Sequence, residues 1–505
     1  MARKRRARKR RARQDTPSYS TMAQHLRRGS ELVPPLMQIP NLELMSWMNH
    51  RLPELLWSAL LIVHLDRRCA LSVFRRLAEY GRQKWRDARE PVDITHTGLS
   101  RMADDSRREI LELLCSEPGA RSALSSLAML SGLPAKSAWD AALRAEPSDS
   151  LWEGLKCAVA RTLDHQSQEA TDCRWSRLIF HVMSGRIHFA DHLQETAKEI
   201  VHYPGYGDLR KVRPTVRATE GSLAGLMTVE SDWPDRFWWE CLDRTPCVAG
   251  TVSQNPMSIE AGTTLDRVRS VADRLIEHCT ETRTTTAVDA EHDAVFGLAL
   301  LSLWLLRDLL RLGVNTSAIG RLGLRSLLHW YVTLSHLVKE DDPQLWTTYR
   351  NYGAGQAKLA FLKLDEAEHA PSFIDTSTLG SLANEDYWME YVSIDFGHWD
   401  KTNLRKMSDK ADVKAEYDLY YPWTSGFAHG HWAAVRNAVY QTCLNPLHRL
   451  HRVPRPQGAR TLNDVVPDAC SLVDSTLGVV DRVSRRSRIA FLCDGSGELR
   501  VGGTG

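Results

Sequence analysis

The chain has 505 residues, of which 43% are hydrophobic and 25% charged, and its formal net charge is +3 at pH 7. A chain of this length can form two large helical domains or about three smaller ones, so its core needs no covalent or metal support. The 10 cysteines include no CxxC pair and no repeated spacing, which argues against a zinc ribbon or disulfide framework and predicts a cytoplasmic protein without metal or other cofactor.

The first 13 residues form a strongly basic tail. They read MARKRRARKRRAR, and no apolar stretch follows that would make them a signal peptide. Their nine positive charges exceed the net charge of the whole chain by six, so the rest of the chain carries −6. A block of like charge stays extended and releases counterions when it meets a polyanion. We predict a disordered tail over residues 1–30, with a solvated tail that has no specific partner as the alternative. The residues predicted to contact nucleic acid are Arg3, Lys4, Arg5, Arg6, Arg8, Lys9, Arg10, Arg11 and Arg13.

Helical periodicity dominates the rest of the chain. Apolar residues recur at spacings of three and four in 265–275 and, after Pro467, in 469–480, whereas alternating β-branched runs are scarce. The two most apolar runs, 52–65 and 294–306, are shorter than the roughly 20 residues that span a bilayer and are predicted to be buried helices. The sequence therefore predicts an all-α protein made of helical bundles, with no membrane partner.

Two polar stretches interrupt the helical pattern, at 250–262 and 280–293. We place the main boundary in the second, because it is rich in threonine and charge and poor in core residues. The predicted domains are an N-terminal helical domain at 31–280 and a second helical domain at 290–490. The glycine-rich residues 491–505 are predicted to be a flexible terminus, since no strand or helix frames them as a phosphate-binding loop.

Histidines are concentrated in RWSRLIFHVMSGRIHFADHLQE, residues 174–195. If this segment is helical, His181, His188 and His192 lie on one face, and His188 with His192 has the spacing of two zinc ligands. A partly buried cluster without metal is the favoured interpretation, because Phe189 stands where the metalloprotease signature requires Glu.

Two further segments have residue types that contact nucleic acid. LRKVRPTVR at 209–217 would form a phosphate-binding patch from Arg210, Lys211, Arg213 and Arg217, with a solvated loop as the alternative. WPDRFWWECL at 233–242 contains four aromatic residues on which bases could stack, but interhelical packing is favoured.

The second domain contains a polar stripe in YDLYYPWTSGFAHGHW, residues 417–432. A spacing of four places the stripe on one helix face, although Pro422 complicates a single continuous helix. Gly430 suits a helix C-terminus, where the dipole favours a protonated histidine. A histidine that titrates near neutrality is a useful acid or base. The candidate site residues of this stripe are Tyr417, Tyr421, Ser425, His429 and, just beyond, His431.

LRSLLHWYVTLSH, in the same domain, places Arg325 and His329 one helical turn apart. If this face meets His429, Arg325 could hold a phosphate while Ser425 and the histidines act on it. The alternative is a structural network in which Arg325 pairs with an acidic residue such as Asp400. The second metal hypothesis, His429 and His431 with His398 and Asp400, is disfavoured.

These residues resemble a known family. YDLYYPWTSGFAHGHW, followed by CLNPLHRLHRVP at 443–454 and VVPDACSLVD at 465–474, is similar to bacterial proteins with the domain of unknown function (DUF) family 5677. The resemblance covers residues from about 290 to 485 and implies a helical fold. It also implies that the matching positions are Arg325, Tyr417, Tyr421, Ser425 and His429.

A looser analogy links the chain to HEPN helical bundles, many of which are ribonucleases of toxin and phage-defence systems. Our leading hypothesis is therefore a helical protein that engages RNA or DNA, as a metal-independent ribonuclease or toxin of a bacterial defence locus. The alternative is a non-catalytic interaction or scaffold protein whose Tyr, Ser and His side chains only fix the packing of helices. Nucleic acid is the predicted partner, and a homodimer is an open alternative to a monomer.

Overall fold

The structure is a computed structural model, and it confirms the predicted all-α fold. It describes residues 22–34, 38, 46–86, 92–226, 231–250, 260–285, 288–368, 371–384, 389–455, 462–483 and 492. Within these residues the only strands are four short ones, β1 to β4, which form two antiparallel ladders: Leu26–Arg28 with Glu31–Val33, and Tyr440–Thr442 with Arg452–Pro454. No helix in these ranges has the length and apolar character needed to cross a bilayer. Strand β1 and the turn before it fall within the predicted tail at 1–30, whereas the nine basic residues among the first 13 lie outside the described residues.

The contacts between residues divide the chain into two compact units. The first consists of the described residues up to 248 together with 443–451, and the second of those in 249–442 and from 452 onward. The helices of the first unit are α1 (Leu52–Glu54), α2 (Leu56–His64), α3 (Arg67–Trp85), α4 (His96–Arg101), α5 (Asp104–Leu114), α6 (Ala120–Leu124), α7 (Lys136–Leu143), α8 (Ser150–Thr162), α9 (Gln168–Met183), α10 (Gln194–Val201), α11 (Leu209–Leu226) and α12 (Trp233–Arg244).

The helices of the second unit are α13 (Glu260–Thr282), α14 (Ala290–Arg311), α15 (Ala318–Glu340), α16 (Pro343–Asp365), α17 (Thr376–Ala383), α18 (Leu404–Lys410), α19 (Lys414–Ala428), α20 (Trp432–Val439) and α21 (Val466–Val483). Single turns of 3₁₀ or π-helix lie at Met22–Gln24, Trp47–Arg51, Ser125–Met129, Asp191–Leu193, Met389–Tyr391 and Pro446–His448.

The units do not follow the predicted domain bounds at every point. Helix α13, which the bounds 31–280 assign to the N-terminal domain, packs against α14 in the second unit. Its apolar face, with Val268, Val271 and Leu275, is fully buried there. The polar stretch at 280–293 therefore includes the connection between two helices of one unit.

Helix α15 is the central helix of the second unit. It contacts α14, α18, α19 and α21, and it buries residues on several sides, among them Leu328, Val332 and Leu337. Its ends are fixed locally, because the Ser317 hydroxyl accepts from the backbone N–H of Ile319 and Asp341 takes a left-handed conformation after the last turn. A helix surrounded in this way brings its polar side chains into partly buried positions.

Helix α9 is the central helix of the first unit, and it contains charged side chains in its core-facing turns. It contacts α2, α3, α8 and α11, and its residues from Ala170 to His181 are buried without exception. Asp172, Arg174 and Arg177 are among them, each less than 6% exposed. Charged groups at such depth need partners, because burying an isolated charge is costly.

The main partner is Glu220 of α11, which is completely buried. The Arg177 guanidinium donates to one of its carboxylate oxygens at 3.1 Å, Arg51 bonds the other, and the Nε of Arg174 lies 3.7 Å away. Arg177 also donates to Asp93 at 2.7 Å. Three arginines therefore share one carboxylate, and burial followed by the nearby Arg51 charge lowers the pKa of Arg174 to about 10.

We expect Glu220→Gln to destabilise the protein strongly, because the variant leaves the positive charges of Arg51 and Arg174 without a buried counter-charge. Breaking a buried ion pair on one side typically costs about 3–5 kcal/mol of unfolding free energy. Urea unfolding at pH 7 measures the loss. The matched control is Glu153→Gln, since Glu153 is exposed and pairs only with Lys156, and it should cost less than about 1 kcal/mol. Equal stabilities of the two variants would contradict the role of Glu220.

Candidate functional site

The predicted site lies on α15 and α19, which pack against each other in the second unit. Helix α19 continues through Pro422 to Ala428, so the predicted stripe does share one helix. The helix ends where His429 caps it and Gly430 takes a φ of +64°, a conformation that glycine adopts without strain. The expected helix end at Gly430 is thus present.

Arg325, Tyr421 and Tyr417 lie together. The guanidinium carbon of Arg325 is 4.0 Å from the centre of the Tyr421 ring, and this ring stacks on that of Tyr417 at 4.5 Å with an angle of 27° between their planes. A cation over an aromatic face is stabilising by about 0.5–2 kcal/mol, depending on how far it is desolvated. One terminal nitrogen of Arg325, Nη1, is buried and has no hydrogen-bond partner. The aromatic ring, rather than a carboxylate, therefore accommodates this positive charge.

Ser425, His429 and His431 occupy the other end of α19. Ser425 is buried, and its carbonyl accepts from the backbone N–H of His429 at 3.1 Å. His429 and His431 are exposed, with ring centres 5.8 Å apart. Because His429 follows Tyr421 by eight residues, it lies about 12 Å further along the helix axis. Among the described residues no hydrogen bond or ring contact joins Arg325 to His429, so their convergence on one substrate stays a prediction.

His329 lies one turn after Arg325 and is half-buried. Burial, followed by the positive charge of Arg325 and by His398, lowers the pKa of His329 to about 4. Its imidazole is therefore neutral at pH 7 and lacks the imidazolium proton that a histidine general acid donates.

His336 of α15, which sequence reasoning missed, contacts a carboxylate. It is completely buried, and its Nε2 lies 2.9 Å from a carboxylate oxygen of Asp400. Asp400, considered above as a partner for Arg325 and as a metal ligand, thus bonds a histidine. The signal was present in the sequence, since His336 follows His329 by seven residues and so continues its helix face.

The basic segment at 209–217 is the first half of α11. Arg210 and Lys211 are exposed, whereas Arg213 and Arg217 are half-buried. Arg213 donates to the side-chain oxygen of Gln168 at 2.6 Å and Arg217 to the hydroxyl of Thr171 at 3.1 Å, both in the first turn of α9. The segment is a helix, and not the solvated loop that was its alternative.

The histidine-rich segment at 174–195 does not form the expected single helix. Helix α9 ends at Met183, because Gly185 takes a φ of +70° and turns the chain away. His181 is buried and lies 3.2 Å from Asp93, whereas His188 and His192 are exposed beyond the turn. The prediction that these three histidines share one helix face is wrong.

The aromatic segment at 233–242 packs mainly into the core. Trp233, Phe237 and Trp238 are buried on α12, while Trp239 is 67% exposed. Interhelical packing, the favoured interpretation, therefore holds for three of the four.

A cluster of two cysteines and two histidines lies in the first unit. The Sγ of Cys247 is 3.6 Å from Nδ1 of His448 and 3.3 Å from Nε2 of His451, and the Sγ of Cys443 is 3.4 Å from Nδ1 of His448. In the described part of the chain it is the only group of three or more His, Cys, Asp or Glu ligand atoms that converge closely enough to hold a metal ion. The sequence signal was the spacing of Cys443, His448 and His451 in CLNPLHRLH, a segment that we had used only for family resemblance.

Residues 308–442 match the family model described as Family of unknown function (DUF5677). This confirms the family resemblance over that range, which contains Arg325, Tyr417, Tyr421, Ser425 and His429. No curated protein and no solved structure matches the chain. These comparisons therefore show a family likeness for residues 308–442 without indicating a reaction, and they lend no support to the HEPN analogy.

We expect His329 to make the protein less stable below neutral pH. Its folded pKa lies below the ordinary value of 6.5, so unfolding takes up a proton, and unfolding free energy is lost as the pH falls from about 6.5 to 4. Between pH 7.5 and 5, His329→Gln should therefore lose about 1–2 kcal/mol less than the unsubstituted chain, at 1.36 kcal/mol per pKa unit. Urea unfolding at the two pH values measures both losses. The control is His188→Gln, which changes an exposed ring, and equal losses in all three proteins would contradict the assignment.

Proposed function

We propose that this chain is a nucleic-acid-binding protein that contacts phosphates through Arg213 and Arg217 of α11 and through its basic tail. The proposal rests on which groups these two arginines bond. Neither lies within 4 Å of a carboxylate in the described residues, and each bonds a neutral side-chain oxygen instead. Their charges therefore remain available to an anion.

Two other arginines of the same unit form a clear contrast. Arg67 bonds both carboxylate oxygens of Asp172, at 2.7 and 2.9 Å, and Arg177 is neutralised by Asp93 and Glu220. The carboxylates of Asp93, Asp172 and Glu220 are thus used by these arginines. Arg213 also has a buried Nε without a hydrogen-bond partner, which is an unused donor.

The position next to α9 supports an anion site. Gln168 and Thr171, the residues that Arg213 and Arg217 bond, lie in the first turn of this 16-residue helix. The positive end of a helix dipole adds to the potential of nearby cations and favours a phosphate there. Residues 213 and 217 are also one turn apart on α11, so their guanidinium groups can contact the same strand of phosphates.

The basic tail supplies most of the charge. Its nine positive charges are known from the sequence, and the rest of the chain is net negative, so a polyanion is attracted mainly by the tail and by local cationic patches. Such contacts read charge and shape rather than base sequence. RNA and DNA are therefore both candidate ligands.

The tyrosine stack of α19 is proposed to be structural. Arg325 is accommodated by the Tyr421 ring, which in turn stacks on Tyr417, and these contacts join α15 to α19. This observation favours a packing role for the polar stripe over a chemical one. The ribonuclease hypothesis stays a prediction with its own test, in which labelled RNA is cleaved by the full chain and not by His429→Ala, while stability changes by less than about 1 kcal/mol.

We expect nucleic-acid affinity to fall steeply with salt and to depend on both patches. Each phosphate contact changes the slope of log affinity against log salt by about −0.9 on duplex DNA, so five contacts from the tail give about −4.5 and two from α11 about −1.8. Removal of residues 1–14 should abolish the larger contribution to the slope. The double variant Arg213→Gln, Arg217→Gln should abolish the smaller one. Fluorescence anisotropy over a salt series measures these slopes.

The matched control for the α11 variant is Arg107→Gln with Arg108→Gln. These arginines lie on α5 and already pair with Asp104 and Asp105, so their removal should leave the slope unchanged. Identical slopes for the α11 variant and this control would refute the α11 site. If truncation of the tail also left affinity and slope unchanged, nucleic-acid binding as a whole would be refuted.

A further inference from the structure

We propose that Cys247, Cys443, His448 and His451 bind a structural Zn²⁺ ion. The proposal is independent of nucleic-acid binding, and it departs from the sequence-based expectation of no metal. The four ligand atoms, two sulfurs and two ring nitrogens, lie within 4.8 Å of one another. All four residues belong to the first unit.

The spacing of these atoms fits a tetrahedral ion. Zinc binds thiolate sulfur at about 2.3 Å and imidazole nitrogen at about 2.0–2.1 Å, so the edges of its coordination tetrahedron measure roughly 3.3–3.8 Å. The three sulfur–nitrogen distances that join the cluster, 3.3, 3.4 and 3.6 Å, lie within this range. The ligand atoms all lie within 4.8 Å of one another, so an ion at the centre would draw the more widely spaced pairs together by up to about 1 Å.

Hydrogen bonds around His448 leave its Nδ1 free for a metal. The Nε2 of this ring lies 3.1 Å from the carbonyl oxygen of Thr245 and 2.9 Å from the Thr245 hydroxyl. A carbonyl can only accept, and the hydroxyl uses its own proton to donate to the carbonyl of Cys241 at 2.7 Å. Nε2 must therefore donate, so the lone pair of the neutral ring is on Nδ1, the atom that faces both sulfurs. Metal-binding histidines are usually oriented by such a bond from the second ring nitrogen.

Backbone hydrogen bonds position the two cysteines. The N–H of Val248 donates to the sulfur of Cys443 at 3.4 Å, an interaction that stabilises a thiolate. The N–H of Leu444 donates to the carbonyl of Val248 at 2.8 Å, and the N–H of Cys443 to the carbonyl of His451 at 2.9 Å. The bond from Leu444 to Val248 therefore joins the two stretches of chain that contain the ligands, and the bond from Cys443 to His451 closes the second stretch on itself, both independently of any metal.

The residue types select zinc and a structural role. Two thiolates and two neutral imidazoles form a neutral complex with a divalent ion, and thiolate ligands exclude the hard cations Mg²⁺ and Ca²⁺. Four protein ligands fill the tetrahedron, which leaves no open position for a substrate or for a reactive water. Cys247 and Cys443 are 196 positions apart in the sequence, so the ion would cross-link distant parts of the chain.

The test measures metal in the full chain, purified under reducing conditions from zinc-supplemented medium. We expect about one zinc per chain by inductively coupled plasma mass spectrometry and a fall of at least fivefold in Cys443→Ser and His451→Asn, as removal of one of four ligands weakens a zinc site. The matched control is Cys157→Ser, which removes an exposed cysteine of the same unit and should retain the ion. Because Cys443 is buried and its variant can fail to fold, His451→Asn, at a half-exposed position, provides the second variant.

Replacement of zinc by Co²⁺ gives a readout of the ligands. We expect thiolate-to-cobalt absorption and the visible bands of a tetrahedral ion, both saturating at one equivalent and lost in His451→Asn. Folded, reduced chain that takes up neither metal would overturn the proposal. So would variants that retain as much zinc as Cys157→Ser, or a disulfide between Cys247 and Cys443 in protein purified with zinc and reductant.

Discussion

The first unit depends on one buried carboxylate. Glu220 has to compensate the positive charges of Arg51, in the turn before α1, and of Arg174 and Arg177 on α9. Packing alone tolerates small shifts of a helix, but a buried ion pair does not, because a displaced partner leaves an uncompensated charge. The carboxylate thus fixes α11 against α9. The same register holds Arg213 and Arg217 beside the start of α9, where they bond the neutral side-chain oxygens of Gln168 and Thr171.

The second unit buries positive charge by a different means. Arg325 lies over an aromatic ring, His329 is kept neutral by its surroundings, and His336 bonds Asp400. All three lie on one face of α15, the helix around which the other helices pack. A catalytic site would require these groups to face a shared space with His429, yet each already has a partner or an environment that accounts for it. The family model that residues 308–442 match has no known function, so the match leaves this face open to a structural interpretation.

Hydrophobic periodicity predicted the helices well, but it predicted poorly which residues pack opposite each helix face. The stripes around Val268 and Leu472 are buried faces of α13 and α21, as expected, because a spacing of three and four determines which side of a helix is apolar. It does not determine what lies opposite. The histidines after Met183 do not continue the helix face, because Gly185 ends the helix. The prediction followed the spacing of the histidines and disregarded this glycine. The sequence indicated only part of the Cys/His cluster: three ligands are close together in it, but Cys247 reaches them only through the fold.

Residues 443–451 complete the first unit although they are made long after the rest of it. Their Leu447 is buried in the core of that unit, and the turn around it contacts α12. At about 5–20 residues per second, a ribosome needs roughly 10–40 s to pass from Cys247 to Cys443. For that time the nascent unit lacks a piece of its own core, and apolar surface at α12 is exposed to solvent and to chaperones. The order of synthesis and the order of assembly therefore differ for this protein. The core of its N-terminal unit is completed only after the helices up to α20 have left the ribosome.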